Sequence, residues 1–577
     1  MSRTGNLSIN SENIFPIIKK WLYSDHDIFY RELVSNGCDA ITKLKKLELM
    51  GEYTKPEGME YKVQVTVNPD EKTIAITDNG LGMSESEVEE YINQIAFSGA
   101  QDFLEKYKDK ANEDQIIGHF GLGFYSAFMV ADKVTIDTLS YKEGSKPVHW
   151  ESEGGLTFEM KDGEKAEQGT TITLYLNEDS YEFSNEYRAR EVLEKYCSFM
   201  PVPIFLNNEK AEPQYETIEK DELTEKDTII ETIVEPAKTE EKENENGEKE
   251  TVETEPAKEK YKILKRPVAL NDTTPLWSKH PNECTDEEYR DFYRKVFHDY
   301  KEPLFWIHLN MDYPFNLKGI LYFPKINTEY DSIEGTIKLY NNQVFIADNI
   351  KEVIPEFLML LKGAIDCPDL PLNVSRSALQ NDGFVKKISD YITKKVADKL
   401  SGMCKTDREN YEKYWDDIAP FIKFGCIKDE KFAEKMNDYI LFKNLDGKYL
   451  TLKDCLEENK EKHENTVFYV TDEKEQSQYI NMFKKEGLDA VILPHSIDSP
   501  FIGHLEQKNE GLKFLRIDAD LNSTFKEEVK DDDEEFKKTS EALTETFKKA
   551  LGNDKLEIKV EKLKDESISS MLTVSEE

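Results

Sequence analysis

The sequence predicts an α+β protein with several domains. At 577 residues the chain corresponds to roughly four folded units of about 150 residues each. Strand patterns and helix patterns are mixed along most of the chain. Residues 211–260 differ from the rest, with 18 Asp or Glu against 7 Lys and one aromatic side chain. We therefore expect two folded blocks separated by a solvated, extended linker that buries little apolar surface.

Acidic side chains clearly outnumber basic ones. The chain has 76 Lys and Arg against 116 Asp and Glu, which gives a formal net charge of −40. Such a surface repels a phosphate backbone, so we expect no nucleic-acid partner. A mean hydropathy of −0.67, without an apolar run of about 18–20 residues, excludes a membrane protein. The hydrophobic fraction of 38% still suffices for several cores.

The N-terminal sequence and the cysteines indicate the compartment. The first residues lack the charged and apolar regions of a signal peptide, so we expect a cytoplasmic protein. Seven cysteines are scattered along the chain without a CxxC pair. This spacing predicts free thiols rather than a disulfide framework or a zinc site.

The first block alternates between the two patterns. A helix is predicted from Asp27 to Leu47, with Asp25 or Ser24 as its N-cap. Period-two alternation and β-branched residues predict strands at Tyr61–Val67, Thr73–Thr77, Val134–Thr138 and Thr171–Leu176.

The second block contains a similar mixture. Strands are predicted at Trp306–Met311, Gly319–Phe323 and Val344–Ile346, and helices at Val353–Ile365 and Glu534–Leu551. A strand beginning at Phe468, a helix at Glu475–Lys485 and a strand at Ala490–Leu493 have the order of a parallel crossover.

The first predicted helix carries a polar stripe beside its apolar face. At 100° per residue, Glu32, Asn36, Asp39 and Lys43 fall within about 60° of one another. A solvated helix face would show the same pattern. However, Gly37 in mid-helix costs about 1 kcal/mol relative to Ala, which is explained if another group approaches closely there.

A strand end and a glycine pair form the second motif. Asp78 ends a predicted strand, and Asn79, Gly80, Leu81 and Gly82 follow it. The two glycines allow the backbone to approach a ligand, and the carboxylate can accept a hydrogen bond from an amine. Asn-Gly between apolar runs is also typical of a simple hairpin turn, so both interpretations stay open.

A glycine-rich turn and a strand start complete the set. Gly118, Gly121 and Gly123 open an apparent helix, whose free N–H groups and dipole suit a polyphosphate. The spacing is neither that of a P-loop nor GxGxxG. The hydrophilic stretch Ser98–Gln115 before it is predicted to be a mobile lid. Thr170 begins a strand, either as an ordinary strand residue or as a hydroxyl that bonds a base or a bridging water.

These four motifs, in this order and spacing, resemble the Bergerat ATP-binding fold of the gyrase, heat-shock chaperone, histidine kinase and MutL superfamily. The resemblance implies that Asn36 ligates Mg²⁺, that Asp78 bonds the adenine amine and that Glu32 polarises the attacking water. The nucleotide-binding residues that it implies are Asn36, Asp39, Asp78, Gly82, Met83, Gly118, Gly121, Gly123, Phe124 and Thr170.

Two further stretches narrow the resemblance to the bacterial branch of the 90-kilodalton heat-shock chaperone family. They are Arg31-Glu32-Leu33-Val34-Ser35-Asn36 and the run from Asp369 to Gln380. The resemblance implies that Arg376 reaches the γ-phosphate as a second catalytic residue beside Glu32, although by sequence alone it would be a surface ion-pair residue. Arg31, Asn373 and Gln380 are the implied supporting residues. Phe97 stands where the family commonly has a basic residue.

The resemblance also implies a domain organisation. It predicts a Bergerat-type α/β sandwich at 1–212, a charged linker at 213–260, an α/β middle domain at 261–500 and a partial α+β C-terminal domain at 501–577. Family members normally continue past this C-terminus into dimerisation helices. We therefore expect a truncated chain, and the homodimer typical of the family is in doubt for it.

The implied function is that of an ATP-dependent chaperone. In this prediction ATP and Mg²⁺ drive a clamp cycle that assists unfolded or partly folded client proteins. A holdase that does not hydrolyse ATP stays an alternative, as does a histidine kinase or a topoisomerase or repair ATPase. The net charge of −40 and the sequence after the charged segment argue against the last two classes.

Overall fold

The chain folds as an α+β protein, seen here in a computed structural model. The structure describes residues 25–93, 123–243, 249–255, 257–325, 335–372, 383–461, 463–519, 525–526, 534–553, 555, 557–563 and 570. For residues 238–243 and 249–255 it describes the backbone alone.

The described strands of the first block form one mixed sheet. They are β1 (Val63–Asn68), β2 (Thr73–Asp78), β3 (Ala131–Leu139), β4 (Val148–Glu153), β5 (Glu159–Asp162), β6 (Gly169–Leu176) and β7 (Ile204–Asn208). The order is β5-β4-β3-β6-β2-β1-β7, and the neighbours are antiparallel except for β1 and β7. The four strands that we predicted for this block are confirmed.

Helices cover the buried face of this sheet. The described α-helices are α1 (Ile28–Leu49), α2 (Glu85–Tyr91) and α3 (Glu186–Cys197), with 3₁₀ helices at Gly123–Met129 and Glu178–Ser184. Leu33, Ile41 and Leu44 of α1 are buried, as are Val65 and Ile74 of the sheet. The 3.6-residue period of the helix and the two-residue period of the strands thus bring two apolar faces into one core.

Helix α1 begins differently from the prediction. Its N-cap is Asp27, not Asp25 or Ser24, and no side chain caps it. The Asp27 carboxylate instead accepts a hydrogen bond from Tyr196 (2.9 Å) and forms an ion pair with Lys195 (3.2 Å). Asp27 therefore joins α1 to α3.

The charged segment is more ordered than we predicted. It contains β8 (Tyr215–Glu219), β9 (Ile229–Glu235), β10 (Lys238–Glu243), β11 (Lys249–Glu255) and β12 (Lys258–Leu264). The described strands pair antiparallel in the orders β8-β12-β9 and β10-β11. The prediction of an extended linker over 211–260 was therefore wrong for the described strands at 215–219, 229–235, 238–243, 249–255 and 258–260.

Buried apolar residues and ion pairs explain this order. Ile218 and Ile263 are buried in the sheet. Arg266 donates from Nε and Nη2 to the two carboxylate oxygens of Asp227, at 2.8 and 2.7 Å. Lys260 forms ion pairs with carboxylates on both neighbouring strands. Some of the acidic residues of the segment are thus paired with Lys260 and with Arg266, which follows the segment.

A second sheet follows the charged segment. Its described strands are β13 (Phe305–Met311), β14 (Leu317–Phe323), β15 (Ile337–Asn341), β16 (Val344–Asp348) and β17 (Lys362–Asp366), in the order β13-β14-β17-β15-β16. The three predicted strands are confirmed. The predicted helix at Val353–Ile365 is wrong, because a 3₁₀ turn at Glu356–Leu360 leads into the central strand β17.

Helices and a third sheet make up the remainder. The described α-helices are α4 (Asp286–Phe297), α5 (Gly383–Thr406), α6 (Arg408–Lys428), α7 (Glu430–Met436), α8 (Leu452–Glu458), α9 (Ser477–Lys485), α10 (Asp498–Lys508) and α11 (Glu534–Leu551). The strands are β18 (Leu441–Asn444), β19 (Tyr449–Thr451), β20 (Thr466–Val470), β21 (Val491–Ile492) and β22 (Lys513–Arg516), in the order β19-β18-β21-β20-β22. The parallel β20-α9-β21 crossover and helix α11 confirm two predictions.

The first block and the second sheet share a buried junction. Phe199, just after α3, packs against Trp277, with ring centroids 4.7 Å apart. Trp277 in turn contacts Tyr340 of β15, at 4.9 Å. The side chain of Asn271 makes three hydrogen bonds of 2.8 Å to backbone groups of residues 200–204. The two sheets are therefore joined by packing as well as by the chain.

Two other expectations concern the whole chain. All seven cysteines are free, as predicted. Among the described residues, no helix combines the length and the apolar character needed to cross a membrane.

Candidate functional site

A row of three polar side chains crosses the buried face of the first sheet. The strand register places Asp78 of β2 beside Thr170 of β6, and Thr170 beside Thr138 of β3. Val63 and Val148 continue the row on either side. All five residues are buried. Because paired residues on adjacent strands share a face, the three polar groups form one edge-to-edge patch in an apolar surface.

Burial governs the protonation of Asp78. It raises the pKa of this carboxyl to about 7, against which a hydrogen bond from the N–H of Gly80 (2.9 Å) acts. At neutral pH the group therefore exchanges readily between the charged and the neutral form. A charged Asp78 is an acceptor that an amine of a ligand can satisfy.

Glycines bring the backbone close to this row. A Cβ on Gly37 would lie 3.2 Å from Cβ of Asp78, which explains the glycine in the middle of α1. A Cβ on Gly80 would lie 2.6 Å from the backbone of Ala40. Gly82 has φ +61°, and its Cβ would overlap the carbonyl oxygen of Leu139. The loop after Asp78 is thus held between α1 and β3, and it is not the two-residue hairpin of the alternative interpretation.

The polar stripe of α1 is largely buried. Arg31, Glu32 and Asp39 are each less than one-tenth exposed, while Asn36 and Lys43 are half-buried. Arg31 donates to Oε1 of Glu32 from Nε (3.0 Å) and Nη2 (2.8 Å). This pair lets a charged carboxylate stay under the surface. The interpretation of the stripe as a solvated face is therefore wrong.

The second oxygen of Glu32 faces the end of the glycine-rich turn. A Cβ on Gly123 would lie 2.8 Å from Oε2 of Glu32, so any larger residue there would require this carboxylate to move. Gly123 begins the 3₁₀ helix, and its carbonyl accepts a hydrogen bond from Ser126 (2.6 Å). Phe124 is buried against Trp150, with ring centroids 5.8 Å apart. Glu32 and the backbone at Gly123 thus form one wall of the site.

Thr138 is a site residue that the sequence did not reveal. Its Oγ1 lies 2.9 Å from Oγ1 of Thr170 and accepts a hydrogen bond from the N–H of Met83, also at 2.9 Å. It also donates to the carbonyl of Gly169, at 3.3 Å. A threonine in a strand carries no local signal. Only the pairing of β3 with β6 places it beside Thr170.

The structure gathers part of the predicted site. Glu32, Asn36 and Asp39 lie on α1, whose Gly37 contacts Asp78, and Gly82, Met83, Gly123, Phe124 and Thr170 line the adjoining segments. The other predicted features lie outside the described residues; they are Gly118, Gly121, Asn373, Arg376, Gln380 and the lid at Ser98–Gln115.

The donor set suits a magnesium ion that is held mainly by its ligand. The described residues contain no cluster of three or more His, Cys, Asp or Glu side chains with metal-binding geometry. Asn36 lies one turn after Glu32, and its amide has no hydrogen-bond partner among the described residues. One protein oxygen beside a polyphosphate is a typical environment for Mg²⁺.

Comparison with known proteins defines the class of this fold and site. Residues 30–168 match the family model described as "Histidine kinase-, DNA gyrase B-, and HSP90-like ATPase". The first block is therefore a nucleotide-binding domain of this ATPase class. Residues 182–575 match the model described as "Hsp90 protein".

Relatives that match over most of this chain agree with both family models. The "Chaperone protein HtpG" of Bacteroides thetaiotaomicron is 44% identical over 582 residues, covering 99% of this chain and 78% of the relative. The protein of the same name from Porphyromonas gingivalis is 41% identical, covering 92% and 71%. That of Borrelia garinii subsp. bavariensis is 32% identical, covering 96% and 82%. The chain belongs to the Hsp90 family of ATP-dependent chaperones, and the histidine kinase and topoisomerase alternatives are not favoured.

Proposed function

We propose that this chain hydrolyses ATP at the site between α1 and the first sheet, and uses the cycle to act on client proteins. The observation that carries the proposal is the pairing of two features. One is the buried polar row at Asp78, suited to a base. The other is the wall where Oε2 of Glu32 meets the backbone at Gly123, suited to a water molecule beside the phosphates.

Each group has a distinct role in this proposal. The carboxylate of Asp78 accepts a hydrogen bond from the amine of adenine. Backbone N–H groups near Gly123 bind the phosphates, as is common where a glycine-rich turn opens a helix. Arg31 holds Oε1 of Glu32, which leaves Oε2 to orient and deprotonate the attacking water. Asn36 ligates Mg²⁺, which neutralises charge on the phosphates when bound.

The domain organisation belongs to the same proposal. In it residues 1–212 bind the nucleotide, residues 261–500 supply Arg376 to the γ-phosphate and contact clients, and residues 501–577 belong to a C-terminal domain. A planar, permanently charged guanidinium stabilises the charge of a transferred phosphoryl group. ATP closes a clamp and hydrolysis reopens it. A homodimer and a cytoplasmic location are further predictions that follow from the family.

The test compares ATP binding with ATP turnover. For Glu32→Gln we expect ATP affinity within about threefold of wild type, with turnover reduced at least about 10²-fold, since general-base catalysis contributes about 10²–10⁴-fold. Glu90→Gln, on the exposed surface of α2, is the matched control and keeps both properties. Binding is measured by isothermal titration calorimetry and turnover by phosphate release.

The possible results separate the alternatives. Loss of turnover in Glu32→Gln alone supports the proposed role. Wild-type binding without turnover would instead favour a holdase that does not hydrolyse ATP. If wild type did not bind ATP, the assignment of the nucleotide site would be wrong.

A further inference from the structure

The hydroxyl of Thr138 has three neighbours and one hydrogen. A threonine hydroxyl can donate one hydrogen bond and accept two. The N–H of Met83 can only donate, so Thr138 accepts at 2.9 Å. The carbonyl of Gly169, at 3.3 Å, can only accept, whereas Thr170 can donate or accept, so all three contacts are made together only when the hydrogen of Thr138 is directed to Gly169. One lone pair of Thr138 then remains for Thr170.

This assignment fixes the direction of the bond between the two threonines. With the hydrogen of Thr138 on Gly169, Thr170 must be the donor in their 2.9 Å contact. All three contacts of Thr138 are then satisfied at once. The opposite direction would leave the carbonyl of Gly169 without this hydrogen. Since Thr138 is fully buried, no solvent competes for its own hydroxyl.

The direction of this bond decides what Thr170 presents to a ligand. Because its hydrogen is used on Thr138, Thr170 offers lone pairs only. The next residue in the row, Asp78, is also an acceptor when charged. Two adjacent acceptors match an exocyclic amino group, which has two hydrogens. They repel a carbonyl oxygen in the same place, because a carbonyl oxygen has no hydrogen to donate.

We propose that Thr138 is a specificity-determining positioning residue, which makes Thr170 an acceptor and so selects purines with an amino group at C6 over those with a carbonyl. The inference rests on the proposed function, since it requires ATP to lie against this row. Thr138 acts through Thr170 and does not itself touch the nucleotide.

ATP and ITP are suitable probes, because they differ at C6 in an amino group against a carbonyl. Both are titrated into the full chain with Mg²⁺, in wild type, Thr138→Val, Thr138→Ser and Thr135→Val. We expect wild type to prefer ATP at least about tenfold. Thr138→Val frees the hydrogen of Thr170 for the carbonyl of ITP, and the preference should fall about three- to tenfold, as expected for one hydrogen bond.

The other variants separate specificity from structure. Thr138→Ser retains the hydroxyl and should restore the preference for ATP. Thr135→Val makes the same change on the same strand, but on the opposite face, and should leave the preference unchanged. Thr170→Val removes the acceptor but leaves Thr138 in place as the partner of Met83. It therefore tests the proposal even if Thr138→Val folds poorly, and it should lower the preference for ATP too.

Each outcome has one meaning. An ATP-to-ITP ratio that is unchanged in Thr138→Val or in Thr170→Val would overturn the inference, even if both nucleotides bound more weakly. That result would leave the proposed function intact, since ATP would still bind. Absence of ATP binding in wild type would overturn the proposed function and this inference together.

Discussion

The burial of the Asp78 carboxyl lowers the stability of the fold at neutral pH. Burial raises its folded pKa to about 7 from an ordinary 3.8, so between these values the folded chain holds a proton that the unfolded chain has released. Stability contributed at this position is therefore lost as the pH rises from about 4 to about 7. We expect Asp78→Asn to raise the free energy of unfolding by a few kcal/mol at about pH 8, since one pKa unit corresponds to about 1.4 kcal/mol.

Calorimetric unfolding without nucleotide, at about pH 5.5 and about pH 8, checks this expectation. The gain from Asp78→Asn should be clearly smaller at the lower pH, where the wild-type carboxyl already keeps its proton. Asp132→Asn, at an exposed position on β3, should change neither midpoint. A gain of equal size at both pH values would show that the charge of Asp78 is not the cause.

Gly82 and Gly144 permit a matched test of the loop after Asp78. Both have positive φ, +61° and +78°, so alanine costs about 1–2 kcal/mol at either position. Only at Gly82 does the new Cβ also overlap backbone, that of Leu139; nothing lies within 4 Å at Gly144. We expect Gly82→Ala to weaken ATP binding more than tenfold and Gly144→Ala to leave it unchanged in titration calorimetry. Equal ATP affinities of the two variants would mean that the loop after Asp78 can move aside without weakening ATP binding.

The sequence indicates some site residues and conceals others for a physical reason. Glu32, Gly37 and Asp78 stand out because a carboxylate near a core or a glycine in a helix is locally unfavourable. Threonine is favourable in any strand, so nothing unfavourable in the local sequence marks Thr138 as a site residue. Its role follows from the register of β3 against β6, which joins residues about 30 positions apart.

At the scale of elements, the charged segment tests whether ion pairs hold a sheet together. Arg266 bonds both carboxylate oxygens of Asp227 and the carbonyl of Glu222. It also holds the pKa of Asp227 well below its usual range. We expect Arg266→Gln to accelerate amide hydrogen exchange in β9 and β12 at least about tenfold. Exchange in β2 and β6 of the first sheet should be unaffected.

The neighbouring cation provides the control for that experiment. Among the described residues, the hydrogen-bond partner of the Lys265 side chain is the side chain of Gln214, at 3.2 Å. Lys265→Gln therefore removes one positive charge, as Arg266→Gln does, but breaks no bidentate ion pair. Amide hydrogen exchange should stay close to that of wild type. If both variants exchanged alike, net charge rather than the specific pair would control the order of the segment.

Two elements show where sequence patterns stop being sufficient. A run of apolar residues at 353–365 fits a buried helix or a buried central strand equally well. The close packing of Gly363 against β14 favours the strand. A Cβ at residue 363 would lie 2.8 Å from the carbonyl oxygen of Ile320. The acidic residues of 211–260 can be counted from the sequence, but the pairing of some of them with Arg266 and Lys260 depends on the fold. Composition gives the number of charges and not their distances.

At the scale of the whole molecule, the junction at Asn271 links the first two blocks. Its side chain satisfies three backbone groups of residues 200–204, and Phe199 packs against Trp277 at the same junction. Removing the amide leaves those groups without a partner, at about 1–3 kcal/mol for each one that stays buried. We expect Asn271→Ala to loosen the junction while each sheet stays folded.

This loosening should separate nucleotide binding from turnover. ATP affinity depends on groups of the first block and should stay within about twofold of wild type. Turnover needs Arg376 of the second block, if the proposed mechanism is right, and should fall at least about fivefold. Asn282→Ala changes an exposed asparagine of the same block and should affect neither. Equal losses of affinity and turnover in Asn271→Ala would mean that the junction supports the nucleotide site itself, whereas unchanged turnover would mean that the two blocks meet productively without this contact.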